Sequence, residues 1–350
     1  MNIQQLLDLT IARNASDLHL SVGFPPTLRI HGELVAVPGE APSTPEQVDS
    51  LVAPLLSDYQ KEIFKQSLEL DFSLDYQGKA RFRANIFRQK GHTAVALRLI
   101  HFRIPKLEEL GLPPVVAKLT ELQQGFILVT GPTGHGKSTT LASFINKINL
   151  DRAKHIITIE DPIEYVYPQG KSLIEQREMY KDTKSWGHAL RAALREDPDV
   201  VLIGEMRDLE TMAAAMTIAE TGHLVFATLH TNSAAQSVER IIDVFPEAQQ
   251  PQIRVQLAST LESIISLRLI PTIQPGRVLA SEILFANAAV RNIIREGKTY
   301  LIDNVIETSA EGGMKILERS LVELVRTGRI SEGVAHRFTL RPALLSKLLR

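Results

Sequence analysis

The sequence predicts an α/β domain built on a parallel sheet, preceded by a smaller α+β domain, and three observations carry that expectation. An apolar run, Phe126-Ile127-Leu128-Val129-Thr130, leads through a glycine-rich loop into a helix-forming stretch. Two further apolar runs, His155 to Ile159 and Val200 to Ile203, alternate with helix-patterned segments, as the buried strands of a parallel sheet do. Before residue 104 the apolar period is instead two, in short runs bounded by turn residues, which marks an antiparallel sheet. A chain of 350 residues is long enough for two cores. The expected division is 1–103, a proline-rich linker 104–114, and 115–350.

Residues 1–13 carry Ile3, Leu6, Leu7 and Ile11 at helical spacing, after which Leu18, Leu20 and Val22 alternate with His19 and Ser21. A hairpin is expected from Thr27–Ile30 and Leu34–Val37 around His31-Gly32, with His19 and His31 on the polar face. Thr44-Pro45-Glu46-Gln47 is a capping box with proline at the first helical position, and Pro54 divides the helix before Ser57 restarts it. From Leu70 to Ile100 three strands are broken at Gln77-Gly78 and Lys90-Gly91. In the second domain Asp208 is placed to cap a helix that Gly222 closes, Leu224–Leu229 is the next strand, and the chain beyond Pro246 reads as helical apart from Arg277–Leu284.

Composition narrows the function. Residues 1–104 hold 11 basic and 11 acidic side chains and the remainder 28 and 29, so neither part has the cationic surface that coats nucleic-acid phosphate. No apolar run approaches the roughly 18 residues that cross a bilayer. Asp8 with no Lys or Arg before Thr10 does not fit a signal peptide, so a cytoplasmic location is expected. Cysteine is absent, which excludes disulfides and Cys-ligated zinc.

The chemistry centres on Gly131-Pro132-Thr133-Gly134-His135-Gly136-Lys137-Ser138, which fits G-x-x-x-x-G-K-[ST]. Its glycines let backbone N–H groups turn inward around a phosphate at a helix N-terminus, Lys137 can reach the outer phosphates, and Ser138 can ligate Mg²⁺. Thr139 follows within the first helical turn and completes the binding stretch. A nucleoside triphosphate with Mg²⁺ is the expected ligand. Glu205 follows the apolar run Val200–Ile203, where a Walker-B acid faces Mg²⁺, directly or through water, or the attacking water. Glu160, Asp161 and Glu164 form a second acidic cluster at a strand end, and His223 and His230 flank Leu224–Leu229.

Taken together these motifs resemble the PilT family of type IV pilus retraction ATPases, within the larger secretion-ATPase superfamily. The resemblance runs from Ala15-Ser16-Asp17-Leu18-His19-Leu20 and Arg81-Phe82-Arg83, through the phosphate loop, Ile159–Glu164 and Arg195–Asp208, to Thr221–Thr231 and Ala289-Val290-Arg291-Asn292-Ile293-Ile294-Arg295-Glu296. It implies a PAS-like N-terminal domain, a RecA-like C-terminal domain and a homo-hexamer that powers pilus retraction. Such a ring would act on an inner-membrane pilus platform protein, attached peripherally at the cytoplasmic face, with no direct nucleic-acid contact. Glu205 would be the catalytic glutamate, supported by Glu160 and Glu164. His230, and less firmly His223, would read the nucleotide state, while Arg83 and Arg98 would bring cations from the N-terminal domain. Arg291 and Arg295, on the polar face of a helix from Asn287 to Gly297, form either a solvated face that stabilises the fold or a surface coupling nucleotide-driven motion to the pilus base or a neighbouring subunit. His135 departs from the family, which usually has Ser or Thr there. The rival readings are a pilus-assembly or type II secretion ATPase, a RecA-like nucleic-acid motor, and a nucleotide-gated regulator without turnover.

Overall fold

Turn residues cut the first hundred positions wherever the strand period breaks, and the computed structural model, which describes residues 1–30, 32–100 and 103–350, follows those cuts. The chain divides into two units, Met1–Arg103 with Pro162–Val166, and Ile104–Asp161 with Tyr167–Arg350. His31 lies outside the described residues.

In the first unit, α1 (Ile3–Ala12) precedes β1 (Asp17–Leu20), β2 (Thr27–Ile30) and β3 (Glu33–Ala36). Helix α2 (Pro45–Val52) stops before Pro54, a 3₁₀ turn carries the chain to Ser57, and that residue caps α3 (Asp58–Ser67) by accepting from Gln60 N. Then come β4 (Glu69–Tyr76), β5 (Ala80–Gln89) and β6 (His92–Ile100), turning at Gln77-Gly78 and Lys90-Gly91. All six strands pair antiparallel in the order β3-β2-β1-β6-β5-β4. Strand alternation sorts the side chains: Ala80, Phe82, Ala84 and Ile86 enter a core with Leu6, Leu7, Leu18 and Leu97, while Arg81 and Arg83 take the opposite face.

The second unit contains β7 (Gly125–Thr130), α4 (Lys137–Asp151), β8 (His155–Glu160), β9 (Leu173–Glu178), α5 (Trp186–Ala193), β10 (Val200–Ile203), α6 (Leu209–Glu220) and β11 (Leu224–Leu229). After these come α7 (Ala234–Asp243), α8 (Gln250–Thr260), β12 (Leu261–Pro271), β13 (Arg277–Phe285) and α9 (Ala288–Glu296). The last helices are α10 (Ile302–Thr308), α11 (Leu317–Arg326), α12 (Glu332–Phe338) and α13 (Pro342–Leu349). The sheet order is β13-β12-β7-β11-β10-β8-β9, parallel except for the β12–β13 pair. Every residue of β7, β10 and β11 is buried, because both faces are covered. Ile127 and Val129 meet Leu141, Phe144 and Ile148 of α4 on one face, where Phe144 stacks on Phe226 with ring centroids 5.5 Å apart. On the other face Phe126 and Leu128 share a core with Met212 and Met216 of α6. Each such side chain contributes about 1.5–3 kcal/mol by burial, which fixes the strand ends that carry the polar clusters.

Two expectations need correction. Residues 261–271, read as helix, form β12, because Leu-Glu-Ser-Ile-Ile-Ser-Leu-Arg-Leu-Ile-Pro is buried on both faces between β7 and β13 and so shows no amphipathic period. Within 104–114, Leu107 and Leu112 enter the core beside α4, and Ser143 Oγ donates to Pro105 O at 2.8 Å. Arg291 does not stand free on a coupling face. Its Nη1 donates to the Ala258 and Ser259 carbonyls at 2.7 and 3.0 Å, closing the end of α8, and its Nη2 donates to Glu262 Oε1 at 2.7 Å. Helix α9 itself forms as expected, with Asn287 Oδ1 accepting from Val290 N at 2.9 Å and Gly297 at φ +70°. Arg295 on the same helix is exposed.

Arg291→Ala should therefore destabilise the second unit by about 2 kcal/mol, since it removes charge-assisted bonds to two helix-end carbonyls. Thermal unfolding checks this through a fall in Tm of roughly 4–8 °C, and an unchanged Tm would show that the cap is dispensable.

Candidate nucleotide site

In a parallel sheet the loops at the strand carboxyl ends share one edge. Strand β7 ends at Thr130 opposite Leu229 of β11, so the phosphate loop starts where the loop containing His230 starts. Gly131 is the tightest point: at φ +139°, a β-carbon there would lie 2.6 Å from Leu267 O of β12, so no other residue fits. Beside it, Thr130 Oγ1 and Ser266 Oγ share a hydrogen bond of 2.8 Å. Pro132 and His135 are half-buried, whereas Thr133 and Gly134 are exposed at the loop tip. Gly136 caps α4 in the left-handed region at φ +91°, and Lys137 is the first helical residue. Its side chain is buried and folds back, so that Nζ donates to Gly131 O at 2.9 Å and Pro132 O at 3.0 Å. Ser138 is exposed and Thr139 half-buried on the first turn of α4.

Glu205 stands two residues beyond β10 and is 14% exposed. Its Oε1 lies 2.5 Å from Arg207 Nη2 and its Oε2 lies 3.5 Å from His230 Nε2. Asp208 does what its position predicts, capping α6 by accepting from Thr211 N at 2.8 Å, so it is occupied as a cap while Glu205 faces His230. Burial, with Lys137 adding to it, holds His230 below its ordinary pKa; Glu205 opposes this. Lys137, Glu205, Arg207 and His230 thus form one electrostatic group. Glu160 closes β8, where it is buried and its Oε1 accepts from Thr158 Oγ1 at 2.6 Å and Gln176 Nε2 at 3.2 Å.

His223 does not join this group. It precedes β11, and Gly125 N donates to its carbonyl at 3.0 Å, which puts it at the amino ends of the strands. Its Nδ1 lies 2.9 Å from Ile218 O, closing α6. Its sequence distance of seven residues from His230 spans a whole strand, and the strand points it away from the phosphate loop. No sequence signal marks Arg268, because a strand buried on both faces lacks the period that would place it. Buried on β12, it donates through Nη2 to Asn232 Oδ1 at 2.8 Å and so holds the loop that follows His230.

The first unit gathers its own cations. Arg83 on β5 is the cross-strand partner of Arg98 on β6, which in turn pairs with Asp17 on β1, opposite Arg29 on β2. Asp17 is the anchor, with Oδ1 3.0 Å from Arg98 Nε and Oδ2 3.8 Å from Arg29 Nε. Arg83 is held more loosely, 4.0 Å from Asp71 Oδ1. The Arg83 and Arg98 side chains remain 41% and 65% exposed, which leaves adjacent guanidinium groups available to an anion. Glu164 lies in Pro162–Val166 and belongs to this unit, half-buried.

Gly131→Ala should weaken binding of a nucleoside diphosphate at least tenfold, because relieving the clash with Leu267 O moves the start of the loop. Calorimetric titration reads this directly, and wild-type affinity in the variant would show that the close approach is not needed.

Comparison with known proteins agrees with the geometry. The family model described as type II/IV secretion system protein matches residues 3–333. The chain is 45% identical over 331 residues to the type IV pilus retraction ATPase PilT of Pseudomonas aeruginosa, covering 95% of this chain and 96% of that protein. It is 48% identical over 313 residues to a twitching motility protein of Neisseria gonorrhoeae, covering 89% and 83%. A crystal structure of the pilus retraction motor PilT with bound ADP superposes with a TM-score of 0.93 at 44% identity over 99% of both chains. The chain belongs to the type II/IV secretion system protein family, among its RecA-like, two-domain ATPases of the PilT pilus-retraction type.

Proposed function

We propose that this chain is the ATP-hydrolysing motor of type IV pilus retraction, driving the pilus disassembly that underlies twitching motility. The observation that carries the reading is near-full-length similarity to PilT, combined with Lys137, Glu205 and His230 gathered at one sheet edge beside the phosphate loop. In this reading the loop from Gly131 to Thr139 holds the phosphates, the backbone N–H groups of Thr133 to Thr139 donating and Pro132 shaping the turn, and Lys137 exchanges its two loop carbonyls for phosphate oxygens. Glu205 orients or deprotonates the attacking water, Glu160 supports it from β8, and neutral His230 reports the presence of the outer phosphate to the loop that Arg268 holds.

The residues present fit Mg²⁺. Ser138 and Glu205 offer hard oxygen donors of the kind Mg²⁺ takes beside substrate phosphates. Ser138 and Glu205 would hold it, Glu205 directly or through water. Bound there, the ion would neutralise charge on the phosphate oxygens.

The finer reading is a homo-hexamer whose first unit is PAS-like and supplies Arg83 and Arg98 to a nucleotide, with Glu164 assisting. The paired, half-exposed guanidinium groups support this, because such cations gain most when a phosphate becomes their partner. The domain division would follow 1–103, 104–114 and 115–350. The ring would act on an inner-membrane platform protein from the cytoplasmic side as a peripheral assembly; no helix among the described residues is long and apolar enough to cross a membrane.

Glu205→Gln is nearly isosteric, so ADP should bind as in the wild type while ATP turnover falls by roughly two orders of magnitude or more. In cells whose own copy is replaced by this variant, surface pili should accumulate and twitching should stop. Bald cells would instead indicate an assembly motor, and normal turnover would remove Glu205 from the mechanism.

A further inference from the structure

Strand β12 outruns its neighbour. Its pairing with β7 ends at Ser266 opposite Thr130, so the next backbone groups along that edge meet the phosphate loop rather than a strand. Leu267 O lies under Gly131, and two residues on, Leu269 N–H donates to the His135 ring at Nδ1, 3.1 Å away. A ring nitrogen accepts only when it carries no proton, so this bond specifies a neutral imidazole with its hydrogen on Nε2. A protonated ring carries N–H at both positions and would face the Leu269 N–H as a second donor. The charged groups around the ring are Arg268 on β12, Lys137 on α4 and Arg277 on β13, all cationic. Together with partial burial, which acts first, they hold the ring below its ordinary pKa.

We propose that His135 is a positioning residue that takes the place of a strand partner for Leu269, strapping the tip of the phosphate loop to β12 through its neutral ring and thereby setting nucleotide affinity. The strap rests on the reading of Gly131 to Ser138 as the phosphate site and adds a pH dependence to it. Affinity is complete while the ring is neutral and declines as pH falls through and below the usual imidazole range. The opposite role is also chemically open to this side chain, since a protonated ring beside a phosphate is an additional cation.

The test is the Kd of a fluorescent N-methylanthraniloyl ADP, titrated without turnover between pH 7.5 and 5.5, for the wild type, His135→Asn, His135→Ala and Lys137→Ala. The Asn side chain places an amide oxygen near the position of Nδ1 and accepts without titrating. The terminal phosphate of ADP ionises in the same range and affects every variant alike, so the readout is the ratio of wild type to His135→Asn. The wild type should weaken more than His135→Asn on acidification, with the gap widening toward pH 5.5 and bounded at roughly tenfold, the scale of one lost hydrogen bond. His135→Ala should be weaker than both at pH 7.5. Hydrogen exchange of the peptide containing Leu269 should be faster in folded His135→Ala than in the wild type. Parallel pH profiles for the wild type and His135→Asn, an unchanged Leu269 amide in His135→Ala, or wild-type affinity that rises in acid would each overturn the strap. Lys137→Ala separates the two levels of the argument. If it binds normally at pH 7.5, the phosphate-site reading itself fails, whereas loss of binding there with parallel wild-type and Asn profiles sinks only the strap.

Discussion

The site depends on one close approach, the passage of Gly131 over the carbonyl of Leu267 with no room for a methyl group. Strand β7 is buried on both faces and fixed between β11 and β12, so the direction in which it delivers the chain to the loop is not adjustable. Strand β12 bonds the last residue of β7 through Ser266, then continues alongside the loop and touches it through Leu267 and Leu269, while Arg268 holds the loop on the far side of His230. Strand β12 therefore supports both the phosphate loop and the loop after His230 as well as completing the sheet. Interior packing is too dense to absorb a shift at Gly131 locally, so a displacement there is passed to every residue behind it.

Electrostatics explains why the arrangement is stable yet responsive. Lys137 is buried, and a buried ammonium needs partners; the carbonyls of Gly131 and Pro132 provide them. Those partners are dipoles, which a phosphate oxygen outbids by its full charge. Glu205 is likewise held, by Arg207 on one oxygen and His230 on the other, in a geometry that a nucleotide would compete with. In the last third of the chain a different logic applies. Glu282 accepts from Ala234 N at the start of α7, and burial raises its pKa to about 7, while Arg341 meets it at 3.4 Å and Glu318 at 2.8 Å. Charges on distant segments thereby tie the last helices to the sheet and to the helix that follows His230.

Much of this was legible in the residues themselves. The phosphate loop, the strand Val200–Ile203 that leads to Glu205, the Asp208 cap and the Asn287-to-Gly297 helix each have a local chemical cause, and local causes survive without tertiary information. Strand β12 was illegible because a strand buried on both faces loses the alternation that announces it, and Arg268 disappeared with it. The strand between His223 and His230 is legible in the sequence, but which of its ends adjoins the phosphate loop follows from the parallel register with β7. Arg291 was read by its helix face, but the side chain is long enough to reach the end of α8, and its partners come from residues about thirty positions earlier. Sequence spacing gives a side chain's direction and leaves its partner open when that partner lies across the fold.

The most direct measurement is a structure of the chain with a non-hydrolysable ATP analogue and Mg²⁺. The account predicts the triphosphate inside the loop from Gly131 to Ser138, with Lys137 Nζ moved from the Gly131 and Pro132 carbonyls onto the outer phosphates and Glu205 turned toward the terminal one. A triphosphate bound elsewhere, or a Lys137 that keeps its two carbonyl partners with nucleotide present, would contradict it.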